Sequence, residues 1–106
     1  MNIFVISSDS FFTQEMITHL HSESRSIEIH ENGLNVLSDI RERIPDVVII
    51  DNDCDGINPL VLNKILCRDG RFDKTVFHFI ATKKIEDEES FSKANNITNL
   101  RIKPVN

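Results

Sequence analysis

The sequence lacks the features of several classes of protein. No apolar run approaches the ~18 residues of a membrane span, and the apolar start at residues 1–6 is too short for a signal peptide and has no basic leader. The chain has 12 Lys and Arg against 17 Asp and Glu, which argues against a nucleic-acid-binding surface in this segment. Cys54 and Cys67 form neither a CxxC pair nor a metal-ligand pattern. We therefore expect reduced, structural thiols in a cytoplasmic protein.

Apolar runs alternate with helical stripes along the chain. The runs predict five strands, at residues 3–6, 26–30, 47–50, 76–81 and 100–103. Helical spacing predicts four helices. The apolar stripe of the first is Phe12, Met16, Ile17 and Leu20, that of the second is Leu34, Leu37, Ile40 and Ile44, and that of the third is Val61, Leu62, Ile65 and Leu66. The fourth helix, over residues 85–94, has only a weak stripe. The alternation predicts one α/β domain with a parallel sheet that is covered on both faces.

Several residues mark the ends of the predicted helices. Ser10 is the predicted N-cap of the first helix, and Asn58 with Pro59 provides a cap and a first-turn proline for the third. Pro45 ends the second helix, and Gly70 lies where the third helix needs a C-cap. The acidic run at residues 86–89 favours the N-terminus of the fourth helix.

Two charged residues follow two of the predicted strands. The third strand stops at Asp51, and the fifth leads to Lys103 and Pro104. Because the carboxyl ends of parallel strands meet at one edge, we expect these two side chains to be in direct or water-bridged contact. The pattern resembles the receiver domain of bacterial response regulators, in which an aspartate accepts a phosphoryl group from a histidine kinase. The resemblance covers residues 1–106 and implies a flavodoxin-like five-stranded parallel sheet in the order 2-1-3-4-5, with four helices.

The resemblance also implies roles for single residues. Asp51 corresponds to the phosphoacceptor and Lys103 to the lysine that contacts the phosphoryl group, and the bond before Pro104 is often cis in the family. The family's acidic Mg²⁺-binding pair, its switch hydroxyl and its aromatic partner are replaced here by Ser7 and Ser8, Ala81, and Leu100. Thr82 is adjacent to the switch position, but strand alternation predicts that it points to the other face unless the register slips by one residue.

A metal site at this position would need a different set of ligands. Asp9 and Asp53 are the candidates, although Asp9 also suits a role as a cap or a favourable charge at the first helix. Mg²⁺ prefers charged, hard oxygen ligands, so we expect Mg²⁺ to bind weakly. Repulsion among Asp51, Asp53 and Asp55 further leads us to expect that Asp51→Asn stabilises the fold.

The altered positions favour an atypical receiver domain rather than an enzyme. Such a module would regulate by protein contact with a histidine kinase or an output domain, with weak or no phosphorylation. The alternative within the family is a working phospho-accepting domain at Asp51, with Asp9 and Asp53 supplying its metal site. The alternative from another class is a small divalent-metal-binding or phosphotransfer protein that uses Asp51, Asp53 and Asp55.

Two further motifs overlap residues 51–56. The letters DNDCDG match the opening half of an EF-hand loop, but its twelfth position is Leu62 instead of a bidentate glutamate. Four apolar residues followed by Asp51, Asn52 and Asp53 also resemble the first motif of haloacid-dehalogenase-type phosphotransferases, which need a larger chain. Both motifs are therefore weaker explanations than the receiver domain.

One face of the sheet is expected to be poorly covered. Receiver domains continue into a fifth helix, whereas this sequence stops after its fifth strand. We expect apolar residues on that face to meet water and to drive homodimerisation, or to be covered by a continuing segment. The residues predicted for that face are Ile3, Val5, Val47, Ile49, Phe77 and Phe79.

Overall fold

Five parallel strands form one sheet in a computed structural model that describes residues 1–103. The strands are β1 (Asn2–Ile6), β2 (Ser26–His30), β3 (Val47–Asp51), β4 (Val76–Ala81) and β5 (Leu100–Ile102), in the order β2-β1-β3-β4-β5. The helices are α1 (Ser10–Leu20), α2 (Val36–Arg43), α3 (Pro59–Cys67) and α4 (Glu88–Ala94), with a 3₁₀ turn at Gly70–Phe72. The predicted fold class, strand order and helices are confirmed, and the Pro104 peptide bond lies outside the described residues.

The sheet separates two apolar cores. The larger core joins the central strands, through side chains such as Phe4 and Ile50, to α2 and α3. The smaller core joins Ile3, Val5, Ile49 and Ile80 to Phe12 and Met16 of α1. Strands β1 and β3 are therefore buried on both faces, which explains why their sequences are apolar without alternation. Strand β2 lies at the edge and is half-buried, as predicted.

The pairing register changes which residues lie on the face of the sheet that packs against α1, here called the α1 face. Ile49 pairs with His78 and Ile50 pairs with Phe79, so Phe77 and Phe79 lie on the opposite face, in the larger core. His78 and Ile80 take their place beside α1. A strand that is apolar on both faces gives no sign of its register in the sequence, and a shift of one residue exchanges its faces.

The α1 face is also better covered than the sequence suggests. Ile3 and Ile49 are only 3% and 7% exposed, and Val5 is completely buried. The expectation that apolar side chains of this face meet water is therefore wrong for Ile3, Val5 and Ile49, whereas Val47 is only partly buried. A cavity of about 410 Å³ remains beside α1, and its lining includes Arg25, Arg101 and two histidines.

The ends of the helices differ from the prediction at two residues. Asp9, rather than Ser10, is the N-cap of α1, because its Oδ1 atom accepts hydrogen bonds from two amides of the first turn, each at 3.1 Å. Arg68 is the C-cap of α3, and Gly70 instead begins the 3₁₀ turn. Asn58 caps α3 as predicted, with Pro59 in its first turn.

Two of the predicted helical stripes are narrower than expected. Val36 and Ile40 are the buried residues of α2, whereas Leu34 precedes the helix and is exposed. Ile44 is the C-cap, has a φ of 40° and is also exposed. In α3, Leu62 and Leu66 are buried while Val61 and Ile65 are largely exposed. The fully buried apolar residues of each helix thus form a single row, and partly buried Leu37, Leu60 and Cys67 pack beside it.

Helix α4 is shorter than the predicted segment. It begins at Glu88, because Asp87 caps it by accepting a hydrogen bond from the Ser90 amide at 3.1 Å. The earlier acidic residue, Glu86, lies in the connection from β4. None of the residues of α4 is fully buried, as expected from its few apolar anchors.

Candidate functional site

The ammonium group of Lys103 lies among three carboxylates at the carboxyl edge of the sheet. Its Nζ donates hydrogen bonds to Oδ2 of Asp51 at 2.8 Å and to Oδ2 of Asp9 and of Asp53, both at 2.9 Å. Asp51 ends β3, Asp9 caps α1, and Asp53 lies in the loop after β3. Lys103 follows β5, where its amide donates to the carbonyl of Ala81 at 3.0 Å. The predicted contact between Asp51 and Lys103 is therefore present and direct.

Asp51 is completely buried, and its two oxygens have different surroundings. Oδ2 accepts hydrogen bonds from the Ser7 hydroxyl at 2.6 Å and from Lys103. Oδ1 is buried and has no hydrogen-bond partner within residues 1–103. The Ser7 hydroxyl also accepts a hydrogen bond from the Asp9 amide at 3.0 Å, so one hydroxyl links two of the acidic residues. A buried carboxylate oxygen without a hydrogen-bond donor is rare, so Oδ1 of Asp51 can still accept a hydrogen bond.

The charges at this site shift two pKa values. Burial opposes the charge of Lys103, but hydrogen bonds to Asp51, Asp9 and Asp53 outweigh it and raise the pKa of Lys103 above its ordinary value. The hydrogen bond from Lys103, supported by the Phe12 amide, lowers the pKa of Asp9. Both groups are therefore charged across the whole neutral range of pH.

Solved structures with the same architecture identify the fold. The signal receiver domain of a DNA-binding response regulator from Colwellia psychrerythraea 34H matches all of this chain and 88% of its own, with a TM-score of 0.87 and 18% identity. The chain has the fold of a receiver domain. A BeF₃-activated receiver domain from Klebsiella pneumoniae matches over 100% and 88% of the two chains, with a TM-score of 0.81 and 14% identity.

A further receiver-fold structure, the Mn²⁺-bound form of a response regulator, covers 99% of this chain and 82% of its own, with a TM-score of 0.82 and 12% identity. No family model matches the chain, and no curated protein matches its sequence. At these identities the similarity shows only the fold, and the properties of the site depend on its own residues.

Ser7 and Ser8, which were predicted to replace the acidic pair, have separate roles. Ser7 faces Asp51, whereas the Ser8 hydroxyl donates to the carbonyl of Glu31 at 2.6 Å and accepts from the Asp55 amide at 2.8 Å. The Ser8 amide donates to the carbonyl of Asp53 at 2.7 Å. Ser8 therefore holds three loops together and does not reach the carboxylates.

Asp55 lies apart from the acidic group that the sequence suggested. Its carbonyl accepts a hydrogen bond from the Gly33 amide at 2.8 Å, which joins the loops after β2 and β3. The side chains that converge are instead Asp9, Asp51 and Asp53. The group of carboxylates therefore contains Asp9 in place of Asp55, and Lys103 compensates its charge.

The structure also excludes an EF-hand in this loop. Leu62, at the twelfth position of the motif, is completely buried in the larger core. Gly56 does have the positive φ that such loops share, at 94°, but a Cβ atom there would lie 2.0 Å from Oδ1 of Asn32. The glycine is thus required by the approach of the neighbouring loop.

The end of β4 brings a hydroxyl closer to the site than predicted. Ala81, at the position predicted for the switch hydroxyl, is buried. Thr82 donates to Oδ2 of Asp53 at 3.3 Å and accepts from Nδ2 of Asn52 at 3.4 Å. The prediction that Thr82 points away is wrong, because β4 ends at Ala81 and strand alternation does not continue beyond it. Sequence reasoning missed Asn52 altogether. Leu100 packs against the larger core.

The site has the carboxylate oxygens that a divalent cation such as Mg²⁺ binds. Asp9, Asp51 and Asp53 each offer a carboxylate oxygen, and these atoms lie within 4.8 Å of one another. Carboxylates are the ligands that Mg²⁺ prefers, and the unpartnered Oδ1 of Asp51 is a further donor. When bound, the cation would neutralise charge on a phosphoryl group at Asp51. Lys103 competes for the same carboxylates.

Proposed function

We propose that this chain is an atypical receiver domain that regulates by protein contact, with weak or no phosphorylation of Asp51. The observation that carries the proposal is the set of three hydrogen bonds from Lys103 to Asp51, Asp9 and Asp53. The ammonium supplies positive charge that a divalent cation would otherwise supply. The site is therefore stable without a metal.

The surroundings of Asp51 support weak phosphorylation. An acyl phosphate forms when a carboxylate oxygen attacks the phosphoryl donor, and nearby positive charge offsets the growing negative charge. Here Oδ2 is occupied by Ser7 and Lys103, and Oδ1 is buried. A donor could reach Asp51 only after Lys103 and the loop that carries Asp53 had moved. That rearrangement adds to the barrier.

The metal ligands are weakened as well. Ser7 offers a neutral hydroxyl that is already bonded to Asp51, and Ser8 is bonded to other loops. A cation would depend on Asp9 and Asp53, both of which would have to exchange Lys103 for the metal. We therefore propose a Mg²⁺ affinity well below that of a site with free carboxylates.

The partners of such a module would be proteins, either a histidine kinase or an output domain, and we propose no enzymatic activity. Receiver domains are typically signalling modules, so the fold agrees with this role. Within residues 1–103, no helix has the length and apolar character that crossing a bilayer requires. A cytoplasmic location remains a prediction.

The second candidate function is a working phospho-accepting domain. It is favoured by the unpartnered Oδ1 of Asp51 and by the hydroxyl of Thr82, which lies near the site after all. In this case Asp9 and Asp53 would hold the metal once Lys103 had turned to the phosphoryl group. A third candidate, a small metal-binding or phosphotransfer protein, would use the same three carboxylates.

Phosphorylation and metal binding can be measured separately. The chain is incubated with acetyl phosphate and millimolar Mg²⁺, and the acyl phosphate is quantified by intact mass, with Asp51→Asn as the blank. We expect no adduct above the blank. By calorimetry, we expect the dissociation constant for Mg²⁺ to be millimolar or weaker. A Mg²⁺-dependent adduct on Asp51 would establish the working receiver, and tight Mg²⁺ binding without an adduct would favour the metal-binding protein.

A further inference from the structure

A second group of metal-type side chains lies between the edge strand β2 and helix α2, away from Lys103. Its members are Glu28, His30 and Asp39, whose ligand atoms lie within 4.8 Å of one another. Glu28 and His30 are two residues apart on β2 and therefore share a face of the strand. Asp39 lies in the first turn of α2. Strand and helix thus bring one imidazole and two carboxylates together.

The imidazole of His30 provides the independent observation at this position. Its Nε2 atom is buried and has no hydrogen-bond partner within the described chain. The ring packs against Phe4, with 4.9 Å between the ring centroids, and the side chain is only 14% exposed. Oε1 of Glu28 is 3.6 Å from Nε2, beyond hydrogen-bond distance. A fixed ring with a free nitrogen directed at carboxylates is preorganised for a metal ion.

We propose that Glu28, His30 and Asp39 bind a transition-metal cation of the Zn²⁺ class. One imidazole nitrogen with two carboxylates suits Zn²⁺ and its neighbours in the first transition series, whereas Mg²⁺ prefers oxygen ligands alone. Ligands bound at about 2.1 Å to a tetrahedral ion lie about 3.4 Å apart. Closing the group to that spacing needs movement only of the two carboxylates, since Asp39 is exposed and Glu28 is 32% exposed.

Arg43 explains how this group is stable before a metal arrives. Its guanidinium forms an ion pair with Glu28 and also lies 5.1 Å from the centre of the Phe4 ring. The arginine supplies positive charge beside the carboxylates, and it keeps its aromatic contact when Glu28 turns to the metal. Arg43 therefore competes with the cation for Glu28.

The proposal is tested by titrating the chain with Zn²⁺ in calorimetry and with Co²⁺ in absorption spectroscopy. We expect one site, with affinity reduced about tenfold or more in His30→Gln and in Asp39→Asn. His78→Gln and Glu86→Gln, an imidazole and an exposed carboxylate outside this group, are the matched controls and should leave the affinity unchanged. Arg43→Gln should raise the affinity several-fold, a result that a purely structural role of this group would not produce.

Nitrogen chemical shifts of the imidazoles give a second readout. On addition of Zn²⁺, Nε2 of His30 should shift, and those of the other three histidines should not. Equal affinities of the wild-type chain and His30→Gln would overturn the proposal, as would loss of binding in Asp51→Asn alone. A thiolate charge-transfer band with Co²⁺ would overturn it too, because it would place the ion at a cysteine. Mg²⁺ binding and phosphorylation of Asp51 are measured separately, so failure here leaves the proposed function untouched.

Discussion

Lys103 reaches across the end of β4 to place its ammonium 2.8 Å from the carboxylate of Asp51, although β3 and β5 are not neighbours in the sheet. The lysine side chain is only 14% exposed, and Asp51 is completely buried. The strength of this interaction follows from the other bonds around it, because a partly buried ion pair gains little unless its remaining atoms are also satisfied.

Replacing Lys103 by glutamine should lower the free energy of unfolding by about 2–4 kcal/mol, because three carboxylates then lose their common counter-charge. Urea unfolding at neutral pH in the presence of a chelator measures the loss. Added Mg²⁺ should restore part of it. Lys93→Gln is the control, since its ion pair with Glu89 is exposed and its loss should cost less than about 0.5 kcal/mol. Equal stability of the two variants would contradict the assigned role of Lys103.

Asp51→Asn should destabilise the fold by about 2–4 kcal/mol, because Lys103 would lose a buried partner. The sequence led to the opposite expectation, which depended on repulsion between carboxylates without a cation; in the structure, Lys103 provides the cation. Binding of a protein partner should nevertheless be nearly intact. Thermal unfolding and a binding assay on the same variant separate the two effects. A stabilised Asp51→Asn chain would show that Lys103 does not neutralise this site.

Ser7→Ala should cost about 1.5–3 kcal/mol, the range for a hydrogen bond to a charged group. The loss arises because Oδ2 of Asp51 would keep only Lys103 as a donor. Ser8→Ala removes hydrogen bonds of similar length that involve only backbone groups, and should cost about 1 kcal/mol. Chemical denaturation of both variants makes the comparison. A larger loss of unfolding free energy in Ser8→Ala than in Ser7→Ala would show that the hydrogen bonds between the loops contribute more than the bond to Asp51.

The pH dependence of stability should depend on Asp9. Since its pKa is lowered in the folded chain, Asp9 contributes stability above its ordinary value of 3.8, and this contribution is lost as the pH falls through the folded pKa. Lys103 has a raised pKa, so its contribution is complete below 10.5 and is lost only at higher pH. In acid, Lys103 therefore stays charged while Asp9 loses its charge.

Asp9→Asn isolates this effect, because an asparagine can still cap α1 with its side-chain oxygen. The difference in unfolding free energy between wild type and Asp9→Asn should be constant from about pH 5 to pH 8 and should shrink below pH 4. The pKa of Asp87 is also lowered, by the Ser90 amide, but that residue is the same in both chains. A difference that stays constant down to pH 2 would show that the charge of Asp9 contributes nothing.

The 106-residue chain should sediment as a monomer at micromolar concentration and should not bind a hydrophobic dye. Ile3, Val5, Ile49 and Ile80 on the α1 face are at most 7% exposed. Two arginines line the cavity beside them, so pairing two copies through this face would bring like charges together. The sequence alone favoured either a dimer or a continuing segment that covers this face. A dimer that dissociates in Arg101→Glu would show that the face is an interface.

The end of β3 and the start of α3 were predictable because each depends on a few neighbouring residues. The apolar run before Asp51 fixed the end of β3, and the pair of Asn58 and Pro59 fixed the start of α3. The meeting of Asp51 and Lys103 followed, because parallel strands end at one edge.

The remaining details depend on register and on loop backbone, for which the sequence carries no local signal. The face occupied by His78 follows from its pairing with Ile49. The direction of Thr82 follows from the point at which β4 ends, and the direction of Ser8 depends on three loops that meet only in the folded chain. Hydrogen bonds between such loops cannot be derived from the spacing of residues in one segment.

The hydrogen bond between Lys103 and Asp9 joins residues 94 positions apart, so the counter-charge of the site is synthesised long after the first of its carboxylates. All three carboxylates leave the ribosome before the lysine that neutralises them. During that interval the growing chain carries an acidic cluster without a counter-ion, and β3 cannot bury Asp51 at low cost. We therefore expect the domain to become stable only after β5 and Lys103 have joined the sheet.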